Sequence, residues 1–250
     1  MLALRLVAAL LAAVVRGLVP KEGLLRGRVQ VVLGDDGASA PPPEGAVQVV
    51  LGTSAVAAGG WGDGCHPSTA LCLEWLSGID WSGGKRFLDY GCGSGVLMLA
   101  AVRLGCEDAV GVDVEEEALD AAAENARANG MDGGVAFVHG REVVPGCDAF
   151  DVVVANILVG QLSRPSMVAT LALGCKPGGY LCLSGIRPDQ RGVLDDVYAP
   201  YFDLVESAEM APDDHGQEYW DTWVRMVLRR KQGDDRRELL DAISDAAVRG

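Results

Sequence analysis

The chain has 250 residues, 49% of them hydrophobic, and a formal net charge of −14. This length and apolar content favour one well-buried domain with short appendages and exclude a low-complexity chain. The acidic excess disfavours direct binding of nucleic acid, which needs clustered Lys and Arg side chains. It suits a basic partner, and the alternative is that the acidity only favours solubility. Seven cysteines without a CxxC pair, and three scattered histidines, predict a reducing compartment and no metal site.

The first residues, MLALRLVAALLAAVVRGLVPK, are basic and apolar, with no acidic side chain before Glu22. The apolar run Leu6–Val15 is shorter than the roughly 20 residues that cross a bilayer, so we expect no stable membrane insertion. Arg5 and Arg16 fall near one helical face, as is typical of an organelle transit peptide. We therefore predict a transit peptide at residues 1–20 and a mitochondrial or chloroplast location. The alternative is an N-terminal helix of a cytoplasmic protein.

Residues 21–57 are predicted to form a short segment of strands and loops. The hexapeptide VQVVLG occurs at Val29–Gly34 and again at Val47–Gly52. Three consecutive prolines between the copies exclude one continuous strand. The two copies are candidates for a hairpin, although a repeat of this length also arises by chance.

From Ser68 onward, helical and extended patterns alternate. After a helix over Ser68–Leu76, the elements in chain order are RFLDYG (strand), SGVLMLAAVRLG (helix), DAVGVDV (strand), EEEALDAAAENARANG (helix), VAFVHG and FDVVVANI (strands), RPSMVATLALG (helix), GYLCLSG (strand), a helix near Asp189–Tyr198, and the strands DLVESAEM and WDTWVRMVLRR. This alternation predicts an α/β fold with a doubly wound, mainly parallel, seven-stranded Rossmann-like sheet and an antiparallel C-terminal strand pair. Residues 58–231 are assigned to this domain, and residues 232–250 to a charged, solvated helical tail.

The stretch FLDYGCGSGVLMLAA places Gly91, Gly93 and Gly95 at alternate positions between a strand and a helix. Glycines there let the backbone approach a ligand, and the helix start offers free N–H groups. A dinucleotide loop, GxGxxG, would need a glycine where Val96 stands. With Asp89 leading, the spacing instead resembles the S-adenosyl-L-methionine loop of Rossmann-like methyltransferases. We therefore assign Asp89 and the three glycines to cofactor binding.

Asp113, in VGVDVEEEA, ends the next predicted strand. A carboxylate at this position can hold the two hydroxyls of a ribose, which makes Asp113 a second cofactor-binding candidate. The alternative is that it only caps the following helix.

Asn156 interrupts the apolar run FDVVVANILVGQL at the end of a predicted strand. In an open parallel sheet, ligands bind beside the carboxyl ends of the strands. An amide there can accept a hydrogen bond from a substrate amine and aim the nitrogen lone pair at a sulfonium methyl group. A turn asparagine that satisfies its own backbone is the alternative. His66 is interpreted as shaping the loop before Pro67, because water can remove the proton of the amine.

Five blocks resemble successive blocks of the PrmA family, the methyltransferases of ribosomal protein L11: GWGDGCHPSTALCLEWL, DYGCGSGVLMLAAVRLG, GVDVEEEALDAAAENARANG, DVVVANILVGQL and KPGGYLCLSGI. The resemblance implies S-adenosyl-L-methionine as cofactor, bound at positions that include Thr69, Gly91, Asp113 and Asn156. It also implies methylation of the α-amine and lysine side chains of a small ribosomal protein. Asn156 then lies between cofactor and acceptor as the catalytic residue, and a basic protein such as ribosomal protein L11 is the expected partner.

The chain departs from the family pattern in two places. WGDG, with Trp61 and Asp63, stands where members usually read FGTG, and Ser68 replaces a usual Thr. Residues 20–56 have no clear counterpart of the family's N-terminal substrate-recognition domain. The acceptor is therefore open to another protein or a small-molecule amine, and a nicotinamide-dependent oxidoreductase and a non-catalytic binding module remain as alternatives. The sequence leaves the oligomeric state open.

Overall fold

The structure is a computed structural model that describes residues 24–34, 41–52, 66–131, 133–141, 146–211, 221–233 and 235–249. The transit-peptide prediction at residues 1–20 lies outside these ranges, as do Trp61 and Asp63. Within them, no helix is both long and apolar enough to span a membrane.

The elements are, in chain order, β1 (Leu24–Arg26), β2 (Val29–Leu33), β3 (Val47–Leu51), α1 (Pro67–Ser77), β4 (Arg86–Tyr90), α2 (Val96–Leu104), β5 (Asp108–Asp113), α3 (Glu116–Ala128), β6 (Val135–His139), β7 (Phe150–Asn156), α4 (Val159–Leu162), α5 (Pro165–Gly174), β8 (Cys175–Ile186), α6 (Arg191–Tyr198), β9 (Phe202–Met210), β10 (Trp223–Arg230) and α7 (Arg236–Arg249). A short 3-10 helix, Pro188–Gln190, precedes α6.

The main sheet has seven strands in the order β6-β5-β4-β7-β8-β10-β9. The four pairs of neighbouring strands between β6 and β8 are parallel. The last two pairs, β8 with β10 and β10 with β9, are antiparallel. This confirms the predicted α/β fold with its antiparallel C-terminal strand pair.

The two faces of the main sheet pack against different helices. On one face, Val152 and Val154 of β7 share a core cluster with side chains of α1 and α2. On the other face, Val153 and Ala155 share a cluster with side chains of α5, α6 and α7. A parallel strand that is covered on both faces is apolar at nearly every position. This explains the apolar run that ends at Asn156.

The two VQVVLG copies do not form a hairpin. β2 and β3 pair in parallel, with Val29 opposite Val47 and Leu33 opposite Leu51, so identical side chains lie side by side. The hairpin in this sheet is formed instead by β1 and β2, around the turn at Gly27. Residues 34–46 are long enough for the crossover that parallel strands require, whereas a hairpin favours a tight turn.

The C-terminal helix α7 packs on the domain and is not fully solvated. Leu239 is completely buried and belongs to the core cluster that includes α5. Arg230 of β10 donates to Asp235 Oδ1 at 2.6 Å, and the Tyr201 hydroxyl donates to Glu238 Oε1 at 2.7 Å. The predicted charged tail is a helix whose described side chains are mostly exposed, and one apolar face, centred on Leu239, anchors it to the domain.

Candidate functional site

The order of the central strands collects the predicted site residues at one edge of the sheet. β4 lies between β5 and β7, and all three run in the same direction. The chain leaves β4 toward β5 and later returns to β7 on the opposite side, which opens a crevice above the carboxyl end of β4. The glycine loop follows β4, Asp113 ends β5, and Asn156 ends β7.

The glycine loop adopts a backbone that other residues rarely adopt. Gly91, Gly93 and Gly95 have φ angles of 79°, 52° and 77°. The amides of Gly91 and Cys92 donate to the carbonyl oxygen of Val112 at 2.7 and 3.0 Å, which ties the loop to β5. A side chain at any of the three glycines would strain this path. The backbone conformation of the loop therefore explains why glycine stands at these three positions.

Asp89 lies under the loop and is only 1% exposed. Its Oδ2 accepts the amide of Met98 in the first turn of α2 at 3.1 Å, and its Oδ1 is buried without a hydrogen-bond partner among the described residues. Burial raises the pKa of Asp89 to about 7, the Met98 hydrogen bond opposes the rise, and the charge of Asp113 adds to it. The carboxyl group is therefore divided between its two protonation states near neutral pH.

Asp113 links the glycine loop to the end of β5. Its Oδ2 accepts the amide of Gly93 at 2.9 Å. Its Oδ1 accepts the amides of Val114 and Glu115 at 2.7 and 3.1 Å. Glu115 occupies the N-cap position of α3 without a side-chain hydrogen bond to the helix, and Asp113 organises the turn before the helix. Its half-buried carboxylate is hydrogen-bonded to the glycine loop.

His66 forms the N-cap of α1. Its Nδ1 accepts the amide of Ser68 at 3.3 Å and lies 2.8 Å from the Ser68 hydroxyl oxygen. The imidazole also contacts Trp223 edge-on, with 4.6 Å between ring centroids. These contacts shape the start of the helix and place Thr69 in its first turn.

Asn156 and Thr69 are brought together, although 87 positions separate them in the sequence. The Asn156 Nδ2 donates to Thr69 Oγ1 at 3.2 Å. Asn156 is half-buried and Thr69 is 4% exposed, so the contact lies at the base of the crevice. Because the amide nitrogen is bound to Thr69, the orientation of the amide, and hence of Oδ1, is fixed.

The residues that connect α1, the glycine loop and the neighbouring elements were not predicted from the sequence. The Ser184 hydroxyl donates to the carbonyl oxygen of Ser68 at 3.0 Å and joins β8 to α1. The Asn125 Nδ2 donates to the carbonyl oxygen of Ser94 at 2.9 Å and joins α3 to the glycine loop. Gly185, inside β8, has a φ angle of 79°. A glycine within a strand signals close backbone approach, so Gly185 could have been found.

The described residues outside this crevice include a groove and no metal-binding group. Among the described residues, no group of three or more His, Cys, Asp or Glu side chains is placed to hold a metal ion. A groove of about 960 Å³ is lined by Trp75, Tyr180 and Arg225, with the first residues of β7 and β8. It contains none of the predicted site residues and lies toward the opposite end of the parallel strands.

Comparison with known proteins gives the family. A model described as ribosomal protein L11 methyltransferase (PrmA) matches residues 44–231. The chain belongs to this family. Ribosomal protein L11 methyltransferases of Marinobacter nauticus and Pseudomonas paraeruginosa are 42% and 40% identical to it over 176 and 193 residues, which are 69% and 77% of this chain. The matches cover 53% and 59% of those relatives, so the chain spans little more than half the length of these members.

Solved structures share the fold. A ribosomal protein L11 methylase from Lactobacillus delbrueckii subsp. bulgaricus superposes with a TM-score of 0.65 at 24% identity, covering 84% of this chain and 97% of that one. The N-methyltransferase NodS from Bradyrhizobium japonicum, solved with S-adenosyl-L-homocysteine, superposes with a TM-score of 0.53 at 16% identity, covering 67% and 90%. At these identities the likeness establishes the architecture.

Proposed function

We propose that the chain is an S-adenosyl-L-methionine-dependent methyltransferase that acts on amino groups of a protein. The observation that carries this proposal is the meeting of the glycine loop, Asp113 and Asn156 at one edge of the sheet. Membership of the PrmA family supports it. The side-chain amide of Asn156 and the glycine loop then flank one crevice.

The residues present fit the cofactor. Asp89 Oδ1 is a buried acceptor without a partner among the described residues, and it lies beneath the loop that would hold the cofactor. A carboxylate oxygen accepts about two hydrogen bonds. Among the described residues Asp113 Oδ2 accepts one hydrogen bond, from the amide of Gly93, which leaves an acceptor position for a ribose hydroxyl. Thr69, Asp89, Gly91, Gly93, Gly95, Asp113 and Asn156 are the proposed cofactor-binding residues.

The bound cofactor supplies a methyl group on a sulfonium, which is already an excellent leaving group. The protein's task is therefore to orient the acceptor. Asn156 Oδ1 accepts a hydrogen bond from the amine of the methyl acceptor. This bond orients the amine so that the lone pair of its nitrogen faces the methyl group to be transferred. Thr69 holds the amide in that orientation. Because the amide is neutral, it does not favour the ammonium form of the acceptor, which has no lone pair to donate.

The proposed acceptor is a basic protein, with ribosomal protein L11 the first candidate. The named relatives are L11 methyltransferases, and the net charge of −14 suits a basic partner. Another protein or a small amine is the competing acceptor, because the matches cover only 53% and 59% of these relatives.

Two measurements test the proposal. Titration calorimetry should detect binding of S-adenosyl-L-homocysteine and no binding of NAD. Transfer of labelled methyl groups should be fastest to ribosomal protein L11 within a panel that includes other basic proteins and free lysine. Asn156→Ala serves as the inactive control. Binding of NAD alone would contradict the cofactor assignment, and faster transfer to another acceptor would contradict L11.

We also propose that residues 1–20 act as an organelle transit peptide. The support is the basic amphipathic pattern of this segment. A fluorescent protein fused behind residues 1–20 should enter mitochondria or chloroplasts, and a fusion with Arg5 and Arg16 replaced by Glu should not. A cytoplasmic signal from the first fusion would contradict the proposal.

A further inference from the structure

Ile157, the residue after Asn156, lies between two glycine backbones. A Cβ atom added to Gly91 would lie 2.3 Å from the Ile157 Cγ2 atom. A Cβ atom added to Gly185 would lie 2.7 Å from the Ile157 carbonyl oxygen. Both distances are far below van der Waals contact. The side chain of Ile157 therefore rests on the cofactor loop, and its carbonyl group rests on β8.

A third attachment holds the chain just beyond Ile157. The carbonyl oxygen of Leu158 accepts the amides of Gln161 and Leu162 at 2.8 and 3.1 Å. Leu162 is completely buried, and its own carbonyl oxygen accepts the Tyr198 hydroxyl at 3.0 Å. This turn anchors the backbone that follows Ile157 to the core.

We infer that Ile157 is a positioning residue that sets the separation between the cofactor loop and the Asn156 amide. The inference rests on the proposed methyltransferase function. Ile157 is covalently next to the amide and directly contacts Gly91. Transfer between two bound groups depends steeply on their separation, so a small displacement of the loop lowers the rate. The γ2 carbon, at the branch of the side chain, is the atom that makes the contact.

Substitutions at position 157 separate this role from general packing. Ile157→Val keeps both γ carbons and loses only the terminal methyl group. Ile157→Leu keeps the number of carbons but loses the branch at Cβ. Ile157→Ala removes both γ carbons. Ile79→Leu is the matched control, because Ile79 is also half-buried and lies away from the crevice.

We expect Ile157→Val and Ile79→Leu to keep kcat within about twofold of the original chain. Ile157→Leu and Ile157→Ala should lower kcat by about tenfold or more, while the Kd for S-adenosyl-L-homocysteine rises by less than about threefold. Hydrogen exchange of the peptide spanning residues 89–97, measured without cofactor, should accelerate in the Leu and Ala variants only. This second measurement does not depend on turnover.

Equal kcat and equal exchange in Ile157→Leu and Ile157→Val would overturn the inference, because hydrophobic volume alone would then suffice. Unfolding of both Ile157→Leu and Ile157→Ala would overturn it too, since the residue would be needed for stability. If the original chain transfers no methyl group, the proposed function fails. The exchange comparison would still decide whether Ile157 holds the loop.

Discussion

At the residue scale, two carboxylates near the glycine loop have different surroundings. Asp89 is almost completely buried and bonds one amide, whereas Asp113 is half-buried and bonds three. Burial disfavours the charged form of an acid, and amide donors favour it. The folded protein therefore holds a proton on Asp89 up to about pH 7, well above the ordinary value of 3.8.

Asp89→Asn should remove a pH dependence from stability. Between about pH 4 and about pH 7 the folded Asp89 keeps a proton that the unfolded chain has lost, so this group's contribution to stability falls as pH rises. Above that range both states are ionised and its contribution is constant. Across this pH window the original chain should lose free energy of unfolding on the order of 4 kcal/mol through this group, and the variant should not. Urea unfolding of both proteins at both ends of the window measures it, and parallel pH profiles would contradict it.

Asn156→Ala should keep most affinity for S-adenosyl-L-homocysteine yet lose methyl transfer by a factor on the order of 10². Asn156→Asp should be slow at neutral pH and recover partly as pH rises, because a carboxylate favours the ammonium form of the acceptor. Thr69→Val frees the amide and should lower kcat less than Asn156→Ala does. Labelled-methyl transfer and calorimetry provide the two measurements. Near-normal turnover of Asn156→Ala would assign the amide a structural role.

At the element scale, α3 and its C-cap residue supply hydrogen bonds to the outer edge of β3 and to the residue that follows it. Asn129 bonds both the amide and the carbonyl group of Val50, at 3.0 and 2.7 Å, as a neighbouring strand would. Asn125 accepts the amide of Gly52 at 2.8 Å and donates to the carbonyl oxygen of Ser94. The helix thereby fixes the small sheet, and through Asn125 it also fixes the glycine loop.

Asn125→Ala and Asn129→Ala should each destabilise the fold by about 1–3 kcal/mol, because each leaves buried polar groups unpaired. Only Asn125→Ala should weaken binding of S-adenosyl-L-homocysteine, since only Asn125 contacts the cofactor loop. Urea unfolding and calorimetry on the same samples separate the two effects. An equal loss of affinity in both variants would show that the contact with Ser94 plays no part in binding.

At the scale of the whole molecule, elements outside the family match pack onto it. The match covers residues 44–231, whereas β1, β2 and α7 lie beyond its ends. Val29 and Val31 of β2 are nonetheless buried, and so is Leu239 of α7. Where the chain divides into domains stays a prediction.

A chain beginning at Leu24 should keep the melting temperature of the full chain, because a basic leader is usually removed or peripheral. Its affinity for S-adenosyl-L-homocysteine should stay within about twofold. A chain beginning at Gly45 should be much less stable, since it lacks the buried strand that pairs with β3. Thermal unfolding and calorimetry compare the three lengths. Early melting of the chain that begins at Leu24 would show that the leader contributes to the fold, and would contradict the transit-peptide proposal.

The fold class follows from the sequence alone, because the helical and extended patterns are local and their alternation leaves few sheet topologies. It also singled out the glycine loop, Asp113 and Asn156 as candidate site residues, since the loop follows a strand and the two polar side chains end apolar strands. Four features become visible only in the folded chain: the parallel pairing of β2 with β3, the docking of α7, the hydrogen bond between Asn156 and Thr69, and the position of Ile157 between two glycines. These features join residues far apart in the chain, and their contacts depend on which strands become neighbours and on how closely two backbones approach.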